Sequence, residues 1–248
     1  MTIAVAVLGA AGRMGSTVCR AVEGAPDMEL VARLDAADQI SKESLGGAQV
    51  VVDFTVPSVA EANVHAVLDA GADVVVGTTG WDDASRARVA EHLERLPERS
   101  VLIAPNFALS AVLAMQFAAK AARFFESAEV IELHHPAKVD APSGTAAATA
   151  RAIATARAQA GLGAVPDATE TDPDGARGAR VDGIPVHAVR LRGLMAHEEV
   201  LFGNPGEMLT IRTDTFDREC YMPGVLLAVR NVAGRGGLTV GLESLIEI

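Results

Sequence analysis

Residues 3–15 read Ile3-Ala4-Val5-Ala6-Val7-Leu8-Gly9-Ala10-Ala11-Gly12-Arg13-Met14-Gly15, an apolar run that ends in three glycines spaced three apart. An uninterrupted β-forming run that meets glycines and then an alanine-rich, helically spaced segment is a buried strand turning into a helix. Each glycine has a physical reason: Gly9 for a tight turn, Gly12 for close approach of the backbone to a pyrophosphate, Gly15 for close packing of helix on strand. A bound diphosphate would rest on the open amides of the helix N-terminus. The spacing alone also suits a plain βα turn. It gains weight from Asp35, an acid at the end of the second apolar run, 20 residues after Gly15, where a carboxylate receives the ribose hydroxyls of NAD and repels a 2′-phosphate. Arg13 and Arg33 could partly offset that repulsion, so NADH is the expected cofactor and NADPH is left open.

The same alternation continues outward. Strands are predicted at Glu29–Leu34, Val50–Phe54, Val74–Val76 and Val101–Ala104, with helices at Met14–Val22, Val59–Leu68 and Ala84–Leu96 between them. Strands apolar throughout, alternating with helices, read as an α/β fold with a parallel sheet covered on both faces. Ligands of such sheets collect at the carboxyl ends of the strands. Gly77-Thr78-Thr79-Gly80 and Ala104-Pro105-Asn106-Phe107 fall there, and either segment could line a nicotinamide pocket or be ordinary loop.

From Pro105 the pattern changes. A long helix, Leu109–Phe125, leads to a strand, Glu129–His134, and to a second helix beginning near Ser143. Gly161–Arg180, dense in Gly, Pro, Asp and Thr, reads as a long mobile loop. Runs at Pro185–Leu191, Glu198–Phe202 and Met208–Arg212 then suggest an antiparallel or mixed sheet, and Met222–Val232 a terminal helix able to pack back on the first domain.

The chain has 248 residues, half of them apolar, enough for one large or two modest domains. A formal charge of −11 opposes binding to nucleic-acid phosphate or anionic lipid. One Trp, one Tyr and seven Phe are few for a base-stacking surface. Cys19 and Cys220 form no CxxC pair, so neither a disulfide framework nor a cysteine metal site is expected. The apolar opening and the stretch Ala108–Phe125 are interrupted short of the ~20 residues of a membrane span, which leads to the expectation of a cytoplasmic protein.

The densest reactive group is Glu132-Leu133-His134-His135-Pro136-Ala137-Lys138-Val139-Asp140-Ala141-Pro142-Ser143-Gly144-Thr145. Two prolines force a shaped loop at a strand end. Ser143 or Asp140 can cap the following helix while the amides of Gly144 and Thr145 face an anion, with Lys138 beside them. A histidine there can donate a proton near neutral pH. The plainer reading of His134-His135 is one histidine in the core and one on the surface; His65 and His92 read as solvated helix residues.

On GAAGRMG, VVDFT, VVGTTG, LIAPNF, EVIELHHPAKVDAPSGTA, VDGIPVHAVRL, HEEVLFG and PGVLLAVR the chain resembles the dihydrodipicolinate (4-hydroxy-tetrahydrodipicolinate) reductases, from Gly9 nearly to the C-terminus. The resemblance implies a Rossmann-type domain over 1–106, rejoined by 216–248, and an α+β domain over 107–215 with a mixed sheet for substrate binding and homotetramer assembly. It implies NADH or NADPH as cofactor and a small cyclic imine dicarboxylate as substrate, with no metal. His134 matches the proton donor and Lys138 its catalytic partner. His135, Ser143, Gly144 and Thr145 match the substrate-carboxylate positions. Gly9, Gly12, Arg13, Met14, Gly15 and Asp35 match the dinucleotide loop and ribose acid, while Phe54, Gly77, Thr78, Thr79, Ala104, Asn106 and Phe107 match the nicotinamide side. Ala137 stands where many members have histidine, and Ala11, where some have a basic residue, leans the reading toward NADH. Another two-domain amino-acid dehydrogenase, or a nicotinamide-binding sensor without catalysis, remain the rival readings.

Overall fold

A computed structural model describes residues 2–246. In chain order the elements are β1 (Ile3–Leu8), α1 (Arg13–Glu23), β2 (Met28–Leu34), β3 (Val50–Asp53), α2 (Pro57–Ala70), β4 (Asp73–Val76), α3 (Asp83–Glu94), β5 (Ser100–Ile103), α4 (Leu109–Ala121) and β6 (Ser127–His134). They continue with α5 (Gly144–Gln159), β7 (Ala179–Val181), β8 (Ile184–Arg190), β9 (Ala196–Asn204), β10 (Glu207–Thr215), α6 (Met222–Val232) and β11 (Gly237–Val240). Leu109–Asp217 form one compact unit, and the segments before and after it together form the other.

In the first unit a six-stranded sheet runs β11-β5-β4-β3-β1-β2, parallel throughout. Every residue of β3, β4 and β5 is buried, as a sheet covered on both faces requires. The helix starts follow local chemistry. Pro57 opens α2, where its missing N–H costs nothing. Asp82 caps α3 by accepting the Ser85 amide at 2.7 Å, and Ser85 Oγ accepts the Asp82 amide at 3.0 Å.

Two features depart from expectation here. His92 is 9% exposed rather than solvated: its Nδ1 lies 2.7 Å from Nδ1 of His65, the rings are stacked, and its Nε2 is 3.1 Å from Asp69. The packing of α2 against α3 puts both imidazoles in one seam. Strand β11, beside β5, was not anticipated, because four residues bounded by glycines carry too short a pattern to read.

The second unit holds a five-stranded sheet, β10-β9-β6-β8-β7, mixed as expected: β6 and β8 are parallel, and the other pairs antiparallel. Alternation along the strands sends Ala128, Val130, Ile184, Val186, Val200 and Phe202 to one face, against the alanines of α4 and α5 and Ile153. Helix α4 ends four residues before the predicted Phe125. The buried Arg157 guanidinium takes the carbonyls of Phe125 and Glu126 at 2.6 and 2.9 Å and so draws the chain out of the helix toward β6. The segment between α5 and β7 has no regular structure, as expected, but it is tied down rather than loose. Val165 enters the core, Arg177 meets Glu129 at 2.6 Å, and Asp167 pairs with Arg180.

Candidate active site

The first unit gathers one group of candidate residues at the carboxyl ends of its strands. Strand β1 lies between β2 and β3, so the connection leaving β1 runs to one side and the one leaving β3 to the other, and it is at such a reversal that open α/β sheets bind ligands. Gly9 turns there with φ +75°, and a Cβ on it would stand 2.7 Å from the carbonyl oxygen of Phe54. A Cβ on Gly15 would stand 2.0 Å from the carbonyl oxygen of Gly9, so only glycine lets α1 lie against this turn. Gly12 is the N-cap of α1 with no side-chain cap, and the first turn of Arg13, Met14 and Gly15 carries no acid. Its amides are the ones a helix leaves unpaired, and the helix dipole favours an anion on them. Asp35 joins this loop from the end of β2, its carboxylate accepting the Ala11 amide at 3.0 and 3.2 Å. Arg33 pairs with Glu23.

Around the next strand ends the side chains interlock. The Phe54 ring occupies the space a side chain on Gly77 would need, and its centroid lies 5.7 Å from that of Phe107. Thr78 is buried and donates to Asp53 at 2.8 Å, whereas Thr79 is exposed. The Ala104 amide donates to the carbonyl of Val76, and Asn106 accepts the Ala108 amide at 2.9 Å. Asp53 was missed in the sequence. Wholly buried, it also takes the amide and hydroxyl of Thr55 and the Asn63 side chain, so one carboxylate fixes the loops after β3 and β4 together.

The second unit gathers the other group. Positions 128, 130, 132 and 134 of β6 share a face, so after two buried apolar residues the strand turns Glu132 and His134 toward the same interior. Glu132 is fully buried. Its carboxylate receives Arg190 at 2.7 and 2.8 Å, the Ser143 amide at 3.0 Å and His134 Nδ1 at 2.5 Å. Burial raises the Glu132 pKa, but these donors outweigh it and hold the carboxyl below its ordinary value, so it is ionised. An ionised carboxylate can only accept, so Nδ1 of His134 carries the proton and Nε2 is the nitrogen left for exchange. Burial pushes the His134 pKa below its ordinary value, opposed by Glu132 and reinforced by Lys138 and Arg190.

Ser143 caps α5, its hydroxyl accepting the Ala146 amide at 3.1 Å, while Gly144 is exposed and Thr145 half-buried at the mouth of the helix. Asp140 also serves this helix end, although Ser143 holds the N-cap position. It takes the Lys138 ammonium at 2.5 Å and accepts from the Gly144 amide, which hold its carboxyl below the ordinary value. His135 is half-buried, and its carbonyl accepts the Lys138 amide at 3.1 Å. Arg190, which also reaches the Asp140 carbonyl at 2.7 Å, was missed in the sequence along with Glu132. The signal was available: an acid two residues past Val130 on the buried face needs a cationic partner.

Family models for the N- and C-terminal parts of dihydrodipicolinate reductase match residues 3–107 and 110–246. The chain belongs to the dihydrodipicolinate reductase family. It is 64% identical to the 4-hydroxy-tetrahydrodipicolinate reductase of Beutenbergia cavernae over the full length of both chains. Among solved structures, the dipicolinate-bound dihydrodipicolinate reductase from Paenisporosarcina sp. TG-14 is 36% identical, with a TM-score of 0.89 over 99% of this chain and 100% of that one. An engineered D-amino acid dehydrogenase bound to NADP+ shares 14% identity at a TM-score of 0.51, covering 98% of this chain and 94% of that one, and bears on fold alone. Dihydrodipicolinate reductases thus supply the fold class read from the sequence, a Rossmann-like parallel sheet with helices plus a second, mixed sheet. Among the described residues, no helix is long and apolar enough to cross a membrane.

Proposed function

We propose that this protein reduces 4-hydroxy-tetrahydrodipicolinate to tetrahydrodipicolinate in diaminopimelate and lysine synthesis, with NADH or NADPH as reductant. The observation that carries the reading is the second-unit cluster. Lys138, the N-terminus of α5 at Ser143–Thr145 and His134 converge on one network, in a chain whose 36%-identical relative holds dipicolinate. A cyclic dicarboxylate needs carboxylate-binding groups and a nearby proton donor: Lys138 and the Gly144 amide, which here hold the Asp140 carboxylate, are groups of the first kind, and His134 is the donor.

The first-unit loop fits a nicotinamide dinucleotide, since side chains on Gly9 and Gly15 would collide with backbone and the helix end is uncapped and free of acid. Gly9, Gly12, Arg13, Met14 and Gly15 would hold the pyrophosphate, and Asp35 the ribose. Phe54, Gly77, Thr78, Thr79, Ala104, Asn106 and Phe107 would line the ring. When bound, the reduced nicotinamide supplies the hydride. His135, Lys138, Ser143, Gly144 and Thr145 hold the substrate carboxylates, and His134 adds a proton to the carbon next to the one reduced. Asp35 and Ala11 favour NADH, because the acid repels a 2′-phosphate and no cation stands at position 11.

The assembly is a homotetramer built through the sheet of residues 107–215. Supporting this, the sheet face away from α4 and α5 exposes Val189 at 37% and Met208 at 72%. The buried Cys19 thiol suits a reducing cytoplasm.

A coupled assay that forms the substrate from pyruvate and aspartate semialdehyde, run with NADH and then NADPH, tests the function. NADH absorbance should fall only once the cyclic dicarboxylate is present. Oxidation with another carbonyl acid instead would point to a different dehydrogenase, and tight NADH binding with no oxidation to a sensor.

A further inference from the structure

We propose that Glu132 is a positioning residue of the reduction: one buried carboxylate fixes the tautomer of His134 and, through the Ser143 amide, the helix end that receives a substrate carboxylate. The proposal rests on the reading of His134 as proton donor and extends it to a residue two positions earlier on the same strand face.

The geometry leaves Glu132 little freedom. It is wholly buried, and four donor groups converge on its two oxygens. Arg190 binds both, Nη1 to Oε2 and Nη2 to Oε1. Oε2 also receives Nδ1 of His134, and Oε1 receives the Ser143 amide. A shift of the carboxylate therefore moves the imidazole and the start of α5 together. Arg190 is in turn fixed by the Asp140 carbonyl at 2.7 Å, so the loop between β6 and α5 is gripped at both ends.

The charged groups around this pair come from each neighbouring element. Strand β8 supplies Arg190, the loop supplies Lys138 and Asp140, and β9 supplies Glu198, register partner of Glu132, whose hydrogen bond goes to Thr149 of α5. Without the Glu132 carboxylate, His134 would face two cations and no hydrogen-bonded anion, and its imidazolium form would be harder to reach. The carboxylate thus does two things for a proton donor. It keeps the exchangeable proton on Nε2, and it supports the charged form from which the proton leaves.

Glu132→Gln tests this directly. The amide keeps the size of the side chain, and its oxygen can still accept from Arg190 and Ser143, but its NH2 would donate to Nδ1 and drive the His134 proton to Nε2. Nitrogen-15 NMR of imidazole-labelled wild-type protein should show His134 protonated at Nδ1 when neutral. In the Gln variant the tautomer should switch, the titration midpoint of His134 should fall, and kcat should drop about 10²-fold or more with the Kd for NADH unchanged. Glu132→Asp, which retains charge, should recover part of kcat and most of the midpoint.

An unchanged tautomer and midpoint in Glu132→Gln, or a neutral His134 protonated at Nε2 rather than Nδ1 in the wild type, would overturn the proposal. The wild-type spectrum decides even if the variant does not fold. Turnover lost in His134→Gln but kept in Glu132→Gln would refute the role of Glu132 alone. Turnover kept in His134→Gln would instead remove the donor assignment.

Discussion

At the scale of single residues, the proposed site at the end of β6 separates groups assigned to the chemistry from groups that hold them. His134→Gln and Lys138→Ala should each lower turnover by about 10²-fold or more, the usual scale for a positioned acid, with NADH affinity kept because the dinucleotide loop belongs to the other unit. Kinetics paired with a fluorescence titration of NADH would check both halves. Glu198 carries a stability prediction. Burial pushes its carboxyl up to about 7, against a hydrogen bond from Thr149, and among the described residues its Oε2 has no partner. Below the ordinary carboxyl value both the folded and the unfolded chain are protonated there, so nothing is lost. As pH rises from 4.5 toward about 7, the unfolded chain ionises first and folding is penalised increasingly; above that the full cost applies. Glu198→Gln should therefore stabilise by about 3 kcal/mol at pH 8 and by little at pH 4, measured as denaturant midpoints at the two pH values. An equal shift at both would show that ionisation is not the cause.

Among elements, the turn from β1 to α1 is the most constrained. Because a methyl on Gly15 would enter the Gly9 carbonyl, Gly15→Ala must push α1 off the sheet and displace the amides proposed to hold the pyrophosphate. The expected result is an NADH Kd raised at least about tenfold, with overpacking costing roughly 1–3 kcal/mol of stability. Unaltered binding in a calorimetric titration would show that the loop does not seat the cofactor. This turn was fully legible in the sequence, since glycine spacing and a distant Asp35 are local signals. The first five strands were legible along the chain for the same reason, each being a short β-forming run, whereas their order in the sheet was not. The holding groups were not. Asp53 and Glu132 look like ordinary strand residues until their neighbours arrive from elsewhere in the chain, such as Thr78 and Arg190, 25 and 58 positions on. Strand β11 stayed hidden because its identity depends on pairing with β5 rather than on its own four residues.

For the whole molecule, the uncovered face of the mixed sheet should decide assembly. Met208 stands on β10 away from the core, and a charge there would be desolvated if another copy packs on this face. Met208→Glu should shift a tetramer toward smaller species by light scattering, with the far-ultraviolet spectrum unchanged; a tetramer that persists would place the contact elsewhere. The position of β11 also bears on how the chain acquires its shape. The edge strand of the parallel sheet and helix α6 emerge from the ribosome only after the whole second unit. The inserted unit, continuous in sequence, can reach its native state during translation. The first unit has to carry an unpaired sheet margin beside β5 for the 133 residues between Ile103 and Gly237, and an open strand edge of that kind invites pairing with other chains until β11 arrives.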